Sequence, residues 1–338
     1  MAAALDLRRH PKELVLPEDT DRAQEKATFY ANLAFTQGKE KSCWADIRRR
    51  FEERIGHPAL QPSITRDGID LAAYVGSTHE GSEDVFSQET GTHQETPYRL
   101  LSLADGHLGR EAAKTALVFL KDYFPSFLER FLSPIPPKGS DRVLAITRLF
   151  KSLFVEADEK IGLLPCGTTL LTSFLFDGQL FTASAGDSVA YLVTAESATQ
   201  VSVSADLTSE LFLKSIRARG SAPTTEKRAR SRGELAPVWR VCHLNVGRSL
   251  GDKKRSEGAR YHPLSPRPKI AGPFDEPKGA LVLCSDGVDT LIGLEDLPLL
   301  FTHPFSQSVP ALVESCILAA LERLGRSDDV TLALLPLE

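Results

Sequence analysis

The chain has no apolar run approaching the roughly 20 residues that cross a bilayer, so no membrane span is expected. It also has no basic excess: its formal net charge is −5, which argues against a dedicated nucleic-acid binder. Cysteine is scarce. The five cysteines are scattered, odd in number and without a Cys-x-x-Cys pair, as suits reduced thiols in an intracellular protein. Neither Gly-x4-Gly-Lys-Ser/Thr nor His-Glu-x-x-His occurs, so P-loop and zinc-protease readings fail. The start, Met1-Ala2-Ala3-Ala4-Leu5, lacks a secretory apolar core, and Ala2 in place of glycine excludes ordinary N-myristoylation. No internal repeat is evident. The expectation is an intracellular monomer, in the cytoplasm or nucleus.

What is present is ordinary globular composition, 42% hydrophobic and 25% charged over 338 residues. That length allows two domains, or one unit of roughly 250 residues with an extension. Residues 1–65 read as an N-terminal helical extension, in which Ile47, Phe51 and Ile55 form one apolar stripe on a charged helix. The proline-containing connector His57 to Pro62 separates it from residues 66–338. There, short β-like runs interleave with long helical patterns. Strand candidates are Ile69–Val75, Tyr98–Ala104, Thr169–Phe176, Gln179–Ala185, Val189–Val193, Trp239–Asn245, Ala280–Cys284 and Val330–Leu335. Helices are expected from Arg110 to Phe131, Asp141 to Ile161, Leu207 to Arg219 and Pro310 to Leu324. Successive hairpins, with two long helices placed consecutively between strands, indicate an α+β fold of mostly antiparallel sheet covered by helices. The polar, basic and aperiodic stretch from Gly220 to Pro237 reads as an exposed loop.

Acids recur beside strand ends: Glu83-Asp84, Asp105, Asp187, Asp286 and Asp328-Asp329. Asp105-Gly106-His107 and Ser285-Asp286-Gly287 repeat one design, an apolar strand followed by Asp-Gly. Taken singly, each acid is a turn or cap residue. Several converging would repel one another unless a proton or cation intervened. Oxygen-rich clusters without cysteine suit the hard ions Mg²⁺ and Mn²⁺. Two such ions about 3.5–4 Å apart can activate water for in-line displacement at phosphorus.

The ordered set Ser82-Glu83-Asp84, Ala104-Asp105-Gly106-His107, Gly167-Thr168-Thr169, Ala185-Gly186-Asp187-Ser188, Gly247-Arg248-Ser249-Leu250-Gly251-Asp252, Ser285-Asp286-Gly287 and Ser327-Asp328-Asp329-Val330-Thr331 resembles the metal-dependent type 2C serine/threonine protein phosphatases. The segment from His262 to Pro268 resembles that family's Ser-Pro-x-Pro stretch. The resemblance implies two antiparallel β-sheets packed as a sandwich flanked by helices, in four layers α/β/β/α. It implies hydrolysis of phosphoserine or phosphothreonine in phosphoprotein substrates by a metal-bound water, without a phosphoenzyme. Asp105 would bridge two Mg²⁺ or Mn²⁺ ions and Gly106 would offer its carbonyl. Asp286 and Asp328 would hold one ion, and Glu83 and Asp84 would act near the other. Asp187 matches the acid of a weaker third site. His107 matches the general acid, a task suited to a side chain whose unperturbed pKa is near neutral. Residues 206–252 fall where the family places its variable flap.

Five residues depart from the family pattern. His79 stands where an arginine usually forks onto phosphate, and imidazole cannot make that bidentate contact. Asp289-Thr290 replaces Trp-Asp, Asp329 replaces a common asparagine and Val189 replaces a common arginine. Two rival readings arise from the same residues. A pseudophosphatase would keep the fold as an interaction platform. Cys242 and Arg248, in the pattern Cys-x5-Arg, would allow a cysteine-dependent phosphatase with a thiolate nucleophile.

Overall fold

The structure, a computed structural model, describes residues 60–66, 68–74, 82–205, 207, 210–219, 223–229, 235–241, 244–252, 254–256, 259–261, 264–289, 293–324 and 328–337. All of them fall within one compact unit, Ile55–Glu338. Residues 1–59, which make up most of the expected helical extension, lie outside the described residues, as do His79, Cys242 and Thr290. The last residues of that expected extension belong to the strand Leu60–Arg66, which pairs with Ile69–Tyr74.

Two antiparallel sheets carry the fold. One has the order Leu60–Arg66, Ile69–Tyr74, Val330–Leu337, Gly279–Cys284, Val189–Val193 and Ala198–Gln200. The other runs Lys269–Asp275, Gln179–Ala185, Leu170–Phe176, Thr96–Ala104 and Val85–His93. Successive side chains of a strand point to opposite faces, and Thr96–Ala104 uses both. Tyr98, Leu100 and Ala104 enter the core beneath the helices. Leu101 and Leu103 enter the core between the sheets, with Leu281, Leu283, Ala333 and Leu335. Leu170–Phe176 divides in the same way, with Phe174 and Phe176 toward the helices and Leu171 between the sheets. Burial on both faces is why these strands read as apolar-rich runs without strict alternation.

The helices Glu111–Leu132 and Ser140–Ile161 cover the second sheet with an aromatic cluster. Phe174 sits edge-on to Phe124 at 5.3 Å and to Phe150 at 6.0 Å between centroids. All three rings are fully buried, and each such burial stabilises by about 1.5–3 kcal/mol. On the far side the helix Phe305–Leu324 packs on Ile69–Tyr74 and Val330–Leu337, burying Val309, Val313 and Ile317. The layers are therefore α/β/β/α, as the resemblance implies. No helix among the described residues is long and apolar enough to cross a membrane.

Some boundaries and one assignment differ from expectation. The last helix begins at Phe305 and runs through Pro310, which the sequence suggests as its first residue. The stretch from Gly220 to Pro237 is not simply a loop: Thr224–Ala229 pairs antiparallel with Leu235–Arg240, from Thr224↔Arg240 to Ala229↔Leu235. A two-stranded ribbon held by main-chain bonds needs no apolar period, so its sequence resembles a loop. The strand expected at Trp239–Asn245 accordingly starts earlier and ends at Arg240, with Val241 and Leu244 bridging after it.

Candidate active site

At one end of the sandwich, strand Thr96–Ala104 delivers Asp105, and the chain continues as a two-residue strand, Gly106–His107. This pairs with Gly167–Thr168, which pairs in turn with Leu250–Gly251. The small sheet fixes Asp105 by its main chain. The Thr169 amide donates to the Asp105 carbonyl at 2.8 Å, and the Thr168 hydroxyl donates to the same oxygen at 3.0 Å. The Asp105 amide donates to Thr169 Oγ1 at 3.2 Å, and that hydroxyl lies 3.1 Å from Ser188 Oγ. The Gly-Thr-Thr and Gly-Asp-Ser motifs thus hold the backbone beneath the Asp105 carboxylate, a role their sequence order does not reveal. Gly106 is required here, because a Cβ would lie 2.8 Å from the Glu83 carbonyl.

The carboxylate of Asp105 meets the fields of Asp84, Asp286, Asp187 and Asp328. Burial first, and then those four like charges, hold it well above the ordinary carboxylate range. Four of the acids singled out in the sequence thus lie near enough to Asp105 to act on its charge. Asp84 is buried, with both carboxylate oxygens lacking a well-formed hydrogen bond. Burial pushes its pKa from 3.8 to about 7, with Asp329 and Asp328 adding to the rise and nearby Thr331 and Ser285 hydroxyls opposing it. Asp187 is buried, Asp286 is half-buried and opens a single helical turn, and Asp328 is exposed just before the final strand. Glu83 uses its main chain: its carbonyl accepts from the Gly106 amide at 3.3 Å, and its amide donates to Asp329 Oδ2 at 2.6 Å. Asp329, in the sequence an acid beside the final strand and a departure from the family pattern, joins that strand to the Glu-Asp pair. Val189, another departure, is a buried core residue at the start of its strand.

Among the described residues no three Asp, Glu, His or Cys side chains close into a ligand set as they stand. The donor chemistry nonetheless fits hard divalent ions: buried Asp84 oxygens without a well-formed partner, four further aspartates whose charge reaches Asp105, and a glycine that opens the backbone beside them. With a chelator present, Asp84 imposes a cost whose sign is fixed. Its protonated form is favoured in the folded chain, so the extra stability is fully present below 3.8 and is lost as pH rises through about 7. Asp84→Asn is therefore expected to raise the melting temperature of metal-free protein near pH 8, by roughly a few kcal/mol of stability, and to change little near pH 4. Thermal unfolding in a chelator at the two pH values checks this; an equal shift at both would refute it.

His107 Nε2 lies 2.8 Å from Asp252 Oδ1 and 3.0 Å from Oδ2. Ser249 Oγ donates to Asp252 Oδ2 at 2.5 Å. This carboxylate partner is absent from the sequence-derived site, although Asp252 ends one of the quoted motifs. The signal that could have found it is the glycine across the small sheet. A Cβ on Gly167 would overlap His107 Nε2 and Asp252 Oδ2, so the pair needs a bare backbone between Gly106–His107 and Leu250–Gly251.

Fold and site together define a phosphatase-like sandwich with an acid-lined end. The family model described as protein phosphatase 2C matches residues 77–292, well over half of the 338 residues, and the chain belongs to that family. An Arabidopsis thaliana protein described as "Probable protein phosphatase 2C 22" is 28% identical over 204 residues, covering 57% of this chain and 46% of the relative. The chain thus spans just under half the length of that curated relative. Among solved structures, a serine-threonine phosphatase 2C from Toxoplasma gondii superposes with a TM-score of 0.61 at 16% identity, covering 82% of this chain and 97% of that one. A C. elegans sex determining protein gives 0.56 at 18% identity, covering 97% and 76%. At such identities these structures establish the shared fold alone.

Proposed function

We propose that the protein is a metal-dependent serine/threonine protein phosphatase, hydrolysing phosphate from phosphoserine or phosphothreonine in protein substrates. The observation that carries this reading is the half-buried Asp105, whose carboxylate feels four further aspartates, at one end of a phosphatase 2C sandwich. Asp105 would hold two ions, with the Gly106 carbonyl as a further donor. Asp286 and Asp328 would serve one ion, Glu83 and Asp84 the other, and Asp187 a weaker third. Bound there, Mg²⁺ or Mn²⁺ would lower the pKa of a held water and screen the charge of the phosphoryl group.

The remaining work falls to this chain's own residues. Thr168, Thr169 and Ser188 keep Asp105 in place through main-chain and hydroxyl bonds. His107 would give a proton to the departing serine or threonine oxygen, whose alkoxide is otherwise a poor leaving group. Asp252 would orient the imidazole by holding Nε2, which leaves Nδ1 for the substrate oxygen. His79 would occupy the place of a phosphate-binding arginine, as a weaker and pH-dependent contact.

The deciding experiment is hydrolysis of a phosphothreonine peptide with Mn²⁺, with and without a chelator, for the wild type and Asp286→Asn. Activity that the chelator abolishes, and that the variant loses by about 10²-fold, is the expected result. Equal rates for both proteins would sink the mechanism. Folded, metal-binding protein without any activity would point instead to an interaction platform. Activity indifferent to the chelator but lost on alkylation of Cys242 would point to the thiolate reading.

A further inference from the structure

We propose that Arg248 and Lys269, stacked against one ring of Phe212 with Lys151 beside them, form a docking site for an acidic segment of the protein substrate. The inference rests on the phosphatase reading but concerns a surface outside the acid-lined end. Arg248 lies over the Phe212 ring at 5.6 Å from its centroid, and Lys269 at 5.7 Å. Arg248 donates from Nη1 to the Arg267 carbonyl, yet its buried Nε has no hydrogen-bond partner. Burial, then Arg248, then Lys151, lowers the Lys269 pKa. Burial and Arg219 do the same to Arg248. Among the described residues, no carboxylate forms an ion pair with Lys151, Lys269 or Arg248.

Cations gathered without a counter-charge repel one another, and an incoming anion relieves that repulsion. In a chain of net charge −5 the concentration is local. Beside it opens a cavity of about 830 Å³ whose lining includes Phe119, Lys151, Val155, Glu159 and Arg267. The lining also holds Lys160 and Glu156, and Glu156 already pairs with Arg130 at 3.3 Å. Walls that set Phe119 and Val155 beside Lys151, Lys160 and two glutamates do not suit a long polyanion such as a nucleic acid. They do suit a peptide that carries a short acidic or phosphorylated stretch and has some apolar side chains. Position agrees as well. Arg248 is on the same segment as Ser249 and Asp252, and Asp252 bonds to His107.

The test uses two fluorescein-labelled phosphothreonine peptides that differ only in a flanking run of glutamate or glutamine. Wild-type protein with Mn²⁺ is expected to favour the glutamate peptide by about tenfold in kcat/KM, with a preference that shrinks as salt rises. Lys151→Glu with Lys269→Glu should erase the preference, and the corresponding pair of changes to glutamine should weaken it. The glutamine peptide's rate should hold, which also reports that the variants fold. A preference unchanged in both double variants overturns the proposal. If the wild type hydrolyses neither peptide, the phosphatase reading has failed on its own account. Fluorescence anisotropy of the glutamate peptide then decides the docking site: weaker binding by the double variants supports it, and equal binding overturns it.

Discussion

Asp105→Asn is expected to lower kcat/KM for a phosphothreonine peptide by at least about 10²-fold. Removing groups that merely stand behind a metal ligand already costs about 10–100-fold, so loss of the carboxylate proposed to hold both ions should cost no less. The substitution should leave the local fold intact. Every hydrogen bond that fixes residue 105 to Thr168 and Thr169 uses its main chain, and an amide matches a carboxylate in size. Without metal the variant should be at least as stable as the wild type, because the replaced group is a carboxylate facing four others. The informative readout is therefore the gain in stability on adding metal. At about 100 times its dissociation constant an ion stabilises the folded chain by roughly 2.7 kcal/mol. Wild type should show a Mn²⁺-dependent rise in melting temperature, and Asp105→Asn should lose most of it together with activity. Retained activity with an intact Mn²⁺ response would remove Asp105 from the centre of the mechanism.

The interior of the fold is legible in the sequence and its margins are not. Tyr98–Ala104, Gln179–Ala185 and Ala280–Cys284 stand out because both faces of their strands are buried, which makes them rich in apolar and small residues. The edges of the two sheets are Leu60–Arg66, Ala198–Gln200, Val85–His93 and Lys269–Asp275. None of these is among the strand candidates, since an edge strand needs little apolar character and often carries charge and proline. Val85–His93 illustrates the point: Gln88, Glu89, Thr90 and Thr92 sit in a strand that is half-exposed along most of its length. At the site, the sequence names the acids but not what supports them. Asp105, Asp84 and Asp286 mark themselves by their places beside strand ends. Thr169, Asp329 and Asp252 act through a hydrogen bond to a residue far along the chain, for which local pattern has no signature. The Glu83–Asp329 bond, for example, links residues 246 positions apart.

Gly167→Ala is expected to lower kcat on a phosphothreonine peptide by about 10²-fold, within the range that a positioned general acid contributes. The added Cβ would overlap His107 Nε2 and Asp252 Oδ2 and stand 2.5 Å from Asp252 Oδ1. Gly167 cannot retreat, because its strand is paired on both sides, to His107 across one edge and Gly251 across the other. The imidazole and carboxylate must therefore separate. The kinetic consequence depends on the leaving group. A threonine alkoxide needs a proton as it departs, whereas an aryl phosphate such as p-nitrophenyl phosphate releases a stable anion. The loss should thus be large on the peptide and slight on the aryl ester, with the Mn²⁺-dependent rise in melting temperature retained. Asp252→Asn should show the same selectivity with a smaller loss, since an amide can still bond to the ring but carries no charge to steady an imidazolium. Equal losses on both substrates would show that the His107–Asp252 pair supports the fold of the site rather than protonation of the leaving oxygen.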